Sequence, residues 1–184
     1  SREATFSPLS LPGASFTLDN YRKAFDTINF LSSLRNSVVI TVISVAIIIL
    51  FGSMAAYTIT RRKNKVTKVL FIYFLVGFMV PVQTTMIPLF KLMSSLNLTN
   101  SVGGMIVLYS SWCNFAMFMY QGFLGTVPRD LEDAAFIDGC GPFRVFWRIV
   151  FPLIKPVTIT IMIFDVMWIW NDFMLPYLFV GSSE

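Results

Sequence analysis

The sequence predicts an all-α, polytopic membrane helix bundle with about four spans present. Three observations carry that expectation. More than half of the residues are hydrophobic and only 13% are charged; the apolar residues gather in long blocks; and no block alternates as a barrel strand does. A soluble domain of this length needs more polar surface to cover its core. Lipid leaves helices or closed barrels as the only spanning forms, because every backbone N–H and C=O must find its partner within the protein.

Each block reaches the ~20 helical residues needed to cross a hydrocarbon core. They run from about residue 37 to 59, 69 to 90, 102 to 124 and 150 to 170. The first is rich in Val and Ile, a strand-like composition in water, but its length and lack of alternation favour a helix. The second contains Pro81 and Pro88, each of which removes a backbone donor. Gln83, Thr84 and Thr85 lie between them, placed to satisfy freed carbonyls. Two readings stand, a structural kink and a bent helix that lines a polar path.

Charge sets the expected orientation. Arg61, Arg62, Lys63, Lys65 and Lys68 lie between the first two blocks with no acid among them, which predicts a cytoplasmic loop. The stretch 91–101 then falls outside and 125–149 inside, where Arg129, Arg144 and Arg148 agree. Residues 1–36 are expected to be an external segment after a missing first span, and 37–180 a transmembrane domain. Within the external segment, Thr17 is placed to cap a short interfacial helix over 18–25. The chain starts at Ser1 without Met or a secretory signal and stops just past a block, as a piece of a longer polypeptide would. The net charge of +4 does not point to nucleic acid, since the cations are scattered or flank spans. Cys113 and Cys140 have no CxxC or His partner, so they read as ordinary small residues. With no His, no paired carboxylates at depth and no metal-ligand spacing, no catalytic or metal centre is expected.

The inner loop is the most informative stretch. Pro128 suits the first turn of a helix whose positive end favours Asp130, Glu132 and Asp133. Leu131, Ala134, Ala135 and Asp138 share one face, and the two alanines keep it low enough for another protein to approach closely. Gly139 is suited to the left-handed conformation that ends such a helix. A second helix is expected from Pro142, with Phe143, Phe146, Trp147 and Val150 on one face, running on into the fourth span. An interfacial helix–turn–helix is the alternative reading of this spacing.

The run Leu131-Glu132-Asp133-Ala134-Ala135, then Asp138-Gly139, then Ile149, Pro152 and Pro156, resembles the EAA loop of permease subunits from bacterial ATP-binding-cassette importers. Thr17-Leu18-Asp19-Asn20-Tyr21, Asn36-Ser37 and Trp170-Asn171-Asp172 extend the resemblance over nearly the whole chain. They are similar to the carbohydrate-uptake branch, and most to the partner-type subunit related to the maltose and multiple-sugar permease pair. Two positions depart from the pattern. Asp133 stands where the motif's second acid is usually Glu, and Cys140 where Ala usually follows Asp-Gly; charge or size is kept at each.

The resemblance implies a six-span permease of the bacterial plasma membrane, of which this chain would lack the first and last spans. It implies a second permease subunit, two ATPase subunits that hold ATP and magnesium, an extracytoplasmic solute-binding protein, and membrane lipid around the bundle. Glu132, Asp133, Ala134, Ala135, Asp138 and Gly139 would form the element that docks on an ATPase. The chain has no GxxxxGK[ST] segment, so no cofactor of its own is expected and nucleotide chemistry is assigned to other polypeptides.

For the solute path, Asp165 is the one acid deep within a block. Counted from Val150 it lies about 22 Å along a helix. It reads either as an acid satisfied between helices or as a lining group of a wet cavity. Trp168, Asn171 and Asp172 mark the end of the same block, as interfacial anchors or as surfaces that stack on and bond to a sugar. Asn114, mid-block among Tyr109, Ser110, Ser111, Trp112 and Gln121, is a further candidate. Alternatives remain open: an ATP-binding-cassette permease for a non-sugar solute such as a glycerol phosphate or a polyol, and a secondary transporter, although ion-driven carriers usually place several ionisable groups in their spans.

Overall fold

A computed structural model describes residue 25, residues 29–62 and residues 64–181, and among them every regular element is helical. The chain divides into two units, Ser1–Asn36 and Ser37–Glu184. The motif residues 17–21, and all of the short helix expected over 18–25 except Phe25, lie outside the described residues.

Helix α1 spans Phe30–Arg61. Ser44, Ile48, Gly52 and Ala56, four residues apart, form its buried stripe. The missing side chain at Gly52 lets α5 (Asn114–Leu124) approach closely: a Cβ built on Gly52 would sit 3.3 Å from that of Ala116. Small residues at a crossing are how membrane helices gain packing contacts when no hydrophobic effect drives them together. A first core gathers Ile48 and Ala56 of α1 with Ala116, Met117, Tyr120 and Leu124 of α5.

The expected second span is two helices. α2 (Lys65–Met79) starts four residues earlier than the apolar block, because Asn64 and Thr67 cap each other's backbone. α3 (Val82–Ser95) follows at a bend of 103°. Val80 and Pro81 are both extended, as expected where a proline ring crowds the residue before it. Pro88 lies inside α3 without ending it. Thr84 and Thr85 do bond carbonyls, but those of Pro81 and Val82 in α3's own first turn, rather than those the prolines free at Gly77 and Thr84.

The third span holds. α4 (Val102–Ser110) and α5 form one 23-residue apolar stretch with a turn at 111–113. The fourth does not run on from the loop as expected. The stretch Pro142–Leu153 comprises α7 (Pro142–Val145), a π-helical turn (Phe146–Val150) and α8 (Phe151–Leu153). It meets α9 (Lys155–Asn171) at 75°, with Pro156 in the first turn of α9. A short helix that the sequence did not announce, α10 (Met174–Val180), closes the described chain. Among the described residues two stretches, Phe30–Arg61 and Val102–Leu124, are long and apolar enough to cross a membrane. Counting each bent pair as one span makes four.

A second core joins α3, α4 and α10 through Met93, Met105, Leu108, Tyr109, Leu175 and Phe179. The turn into α4 is tight: Asn97 and Asn100 take positive φ, and the Ser101 hydroxyl accepts from the Gly104 amide at 2.9 Å. A Cβ on Gly104 would fall 1.7 Å from the Leu98 carbonyl oxygen, a backbone atom. Gly104→Ala is therefore expected to lower stability by about 1–3 kcal/mol. Gly103→Ala, where a Cβ meets nothing within 4 Å, should be neutral or stabilising. Thermal unfolding of the two variants in detergent, side by side, checks the contrast.

Candidate functional site

The loop 125–149 folds as a hairpin built around α6 (Asp130–Ile137). Pro128 lies just before the helix rather than in its first turn, and Asp130, Glu132 and Asp133 occupy that turn, where the helix dipole favours negative charge. The helix ends at Gly139, whose φ of 80° is left-handed. The Gly139 amide donates to Phe136 at 3.1 Å and the Cys140 amide to Ala135 at 2.9 Å, the paired bonds of a glycine-terminated helix. A Cβ at Gly139 would meet no atom within 4 Å, so only backbone strain restricts this position.

The two faces of α6 differ. Glu132 is turned inward and is only 4% exposed. One of its carboxylate oxygens lies 2.5 Å from an Arg61 guanidinium nitrogen, and the other accepts from the Tyr57 hydroxyl at 2.9 Å. Arg61 also donates to the carbonyls of Leu124 and Val127, at 3.3 and 3.2 Å. In the opposite direction Arg129 donates to the carbonyls of Thr60 and Arg61, at 3.2 and 3.4 Å. These are the last carbonyls of α1, which have no partner within the helix and carry the negative end of its dipole. Leaving either charge of such a buried pair alone typically costs about 3–5 kcal/mol.

Ala135 is also buried, packed into the first core with Val145, Phe146 and Val150. The low-profile face expected of two alanines is thus split: Ala135 serves this chain's own core, and Ala134 faces out. With Ala134, the residues Leu131, Asp133, Ile137 and Asp138 are exposed, Ile137 to 87%. The helix after the turn also differs from a single apolar face. Val145, Phe146 and Val150 face inward and Phe143 is exposed, with the backbone widened into a π-helical turn from Phe146 to Val150. Phe146 packs its ring 5.3 Å from that of Tyr57.

At the other end of the bundle lies a cavity of about 900 Å³. Its lining includes all five residues proposed for a solute path, Asn114, Asp165, Trp168, Asn171 and Asp172. Their individual states separate them. Asp172 accepts from the Tyr109 hydroxyl at 2.8 Å and from the Met174 and Leu175 amides, so it holds the start of α10. The Asn171 amide donates back to Met167 at 2.7 Å. Asn114 packs its amide against Gly77, 3.1 Å from where a Cβ would stand. Trp168 lies 6.3 Å from Trp112 across the wall. Asp165 is only 4% exposed, and its Oδ2 has no hydrogen-bond partner. Because α9 starts only at Lys155, Asp165 is about 15 Å along it at ~1.5 Å per residue, and the 22 Å counted from Val150 does not apply.

Arg61 and Tyr57 were not singled out from the sequence as site residues. Arg61 read only as one of five orienting cations. The signal that it has a further role is the burial of Glu132, which requires a counter-charge and is known only once the chain is folded.

Residues 48–184 match the family described as binding-protein-dependent transport system inner membrane components. The chain is 41% identical over 95% of its length to the "Probable starch degradation products transport system permease protein AmyC" of Thermoanaerobacterium thermosulfurigenes, covering 63% of that protein. It is 33% identical over 93% of its length to the melibiose/raffinose/stachyose import permease protein MelC of Bacillus subtilis, and covers 63% of it. With the multiple sugar-binding transport system permease protein MsmG of Streptococcus mutans the identity is 38%, over 91% of this chain and 61% of the other. The chain thus spans less than two thirds of the length of these curated relatives. Among solved structures, a bacterial ABC transporter involved in the import of the acidic polysaccharide alginate superposes with a TM-score of 0.74 at 23% identity, over 81% of this chain and 52% of that one.

The polar groups of the cavity should respond differently to substitution. Tyr109→Phe removes the donor to Asp172 and is expected to cost about 1.5–3 kcal/mol. Asp165→Asn removes a buried charge that has an unpaired oxygen and is expected to be neutral or stabilising. Denaturation of the purified protein in detergent distinguishes the two.

Proposed function

The chain belongs to the family of binding-protein-dependent transport system inner membrane components, and from that premise we propose that it is a permease subunit of an ATP-binding-cassette importer for a carbohydrate. In this reading α6 is the coupling helix. Its exposed side, centred on Leu131, Ala134, Ile137 and Asp138, docks in a cleft of a separate ATPase subunit, while its buried side is held to α1 and the first core. The observation that carries the reading is this division of α6 into an anchored face and a free face bearing apolar side chains. A helix lying on lipid would have no need of a buried ion pair on its inner side.

The complete assembly would contain a second permease subunit, two ATPases that bind ATP and magnesium, and an extracytoplasmic binding protein that delivers the solute. It would sit in the bacterial plasma membrane with α6 and the cation-rich junction of α1 and α2 on the cytoplasmic side. Closure of the ATPases on ATP would displace α6 and rock the spans between inward-open and outward-open states.

A carbohydrate is the favoured solute for two reasons. The relatives AmyC, MelC and MsmG are named for starch degradation products, for melibiose, raffinose and stachyose, and for multiple sugars. The 900 Å³ cavity also combines aromatic faces, Trp112 and Trp168, with the Asp165 carboxylate and the Asn114 amide. Aromatic rings with a few fixed polar atoms suit a ring that is apolar on its faces and hydroxylated at its edge.

Three experiments test the assignment. The full-length subunit, placed in vesicles with its ATPase and binding protein, should take up solute only when ATP is supplied. A photoreactive or disulfide cross-linker at Ala134→Cys should capture the ATPase subunit, and capture of lipid alone would overturn the docking role. Gly139→Val is expected to strain the turn by about 1–3 kcal/mol and to lower uptake more than ATP hydrolysis, because Val resists the left-handed backbone that aims the helix.

A further inference from the structure

We infer that the Arg61–Glu132 pair, completed by Tyr57, is the mechanical link that carries displacement of α6 into α1; the inference rests on the coupling role proposed above. The contacts join three segments at one point. Arg61 belongs to the last turn of α1, Leu124 and Val127 to the end of α5 and the loop after it, and Glu132 to α6. A single guanidinium reaches all three. Arg129 returns the attachment from the loop to the Thr60 and Arg61 carbonyls. Cations thus bridge in both directions, which resists separation of the loop from α1 and also rotation about the contact.

Stability alone does not account for an ion pair here. A buried pair gains little over well-packed apolar side chains of similar volume, because desolvating the charges offsets most of their attraction. Such a pair instead fixes direction: both oxygens of Glu132 are engaged, one by a guanidinium and one by a hydroxyl. The other contact of α6 with the core, Ala135, is a methyl group, and a methyl group packs without selecting a register. Among the described residues Arg61–Glu132 is the one ion pair, and it stands where α6 would transmit force. The neighbouring Tyr57–Phe146 ring contact extends the link to the π-helical turn that leads towards α9. Arg61, Glu132 and Tyr57 are therefore positioning residues that act through α6.

The test uses the full-length subunit assembled with its ATPase, second permease and binding protein in vesicles, reading uptake and ATP hydrolysis together. Two variants keep the volume filled and leave no charge unpaired: the apolar pair Arg61→Met with Glu132→Leu, and the neutral polar pair Arg61→Gln with Glu132→Gln. Both should assemble with the ATPase as the unmodified chain does, yet consume at least about threefold more ATP per solute imported. Tyr57→Phe should shift that ratio in the same direction by less. An unchanged ratio in the apolar pair overturns the link, as does a fall in uptake that merely follows a loss of assembled complex. Absence of ATP-dependent uptake by the unmodified assembly would instead overturn the transport reading, and the link with it.

Discussion

Hydrocarbon offers no hydrogen-bond partner to a backbone amide, and the architecture of this chain follows from meeting that constraint residue by residue. Val- and Ile-rich stretches that would favour strands in water are helical here, because a helix satisfies its amides locally and an isolated strand cannot. With water excluded, apolar burial no longer drives helices together, and close approach takes over. Gly52 against Ala116 is the clearest instance, and further up the same stripe Ser44 donates to the Ile106 carbonyl of α4 at 3.5 Å.

The same constraint explains where the helices stop. A proline withdraws an amide, and in lipid the orphaned carbonyl must be re-satisfied or the helix must end. At Pro81 the chain turns by 103°, and at Ile154, just before Pro156, by 75°. Pro88 causes no such break in α3. The bends are not incidental to the cavity. The joint at Val80 and Pro81 lines it on one side, and α9, redirected by the break at Ile154, brings Asp165 and Trp168 to the other.

Charge is handled in a contrasting way at the two ends of the bundle. Near the hairpin, every buried ionic group is answered by another: Glu132 by Arg61 and Tyr57, and the end of α1 by Arg129. In the cavity Asp172 is answered by Tyr109, but Asp165 keeps an unpaired oxygen. A carboxylate held by a counter-charge keeps a fixed place, whereas an acceptor with no charged partner beside open volume is available to something that is not part of the chain. This difference separates the ion-paired end of the molecule from the end that holds the cavity.

Much of this was legible in one dimension. Apolar block length located two continuous spans and two stretches that fold as bent helix pairs, because bilayer thickness converts directly into residue number. The residue types of the loop 130–139 marked α6 and its glycine stop, because helix dipole and left-handed backbone are local effects. What the sequence did not reveal was direction and partnership. Both Pro81 and Pro88 remove an amide, and only the folded chain shows that the bend falls at Pro81. Which of two adjacent alanines faced inward depended on the azimuth of α6 against α5 and α7. That Arg61 anchors the hairpin depended on Glu132 arriving beside it from across the chain. Local chemistry set the helices and their ends; the pairing of distant side chains was decided only by tertiary packing, because burial gives a charge its partner and is not a property of any one position in the chain.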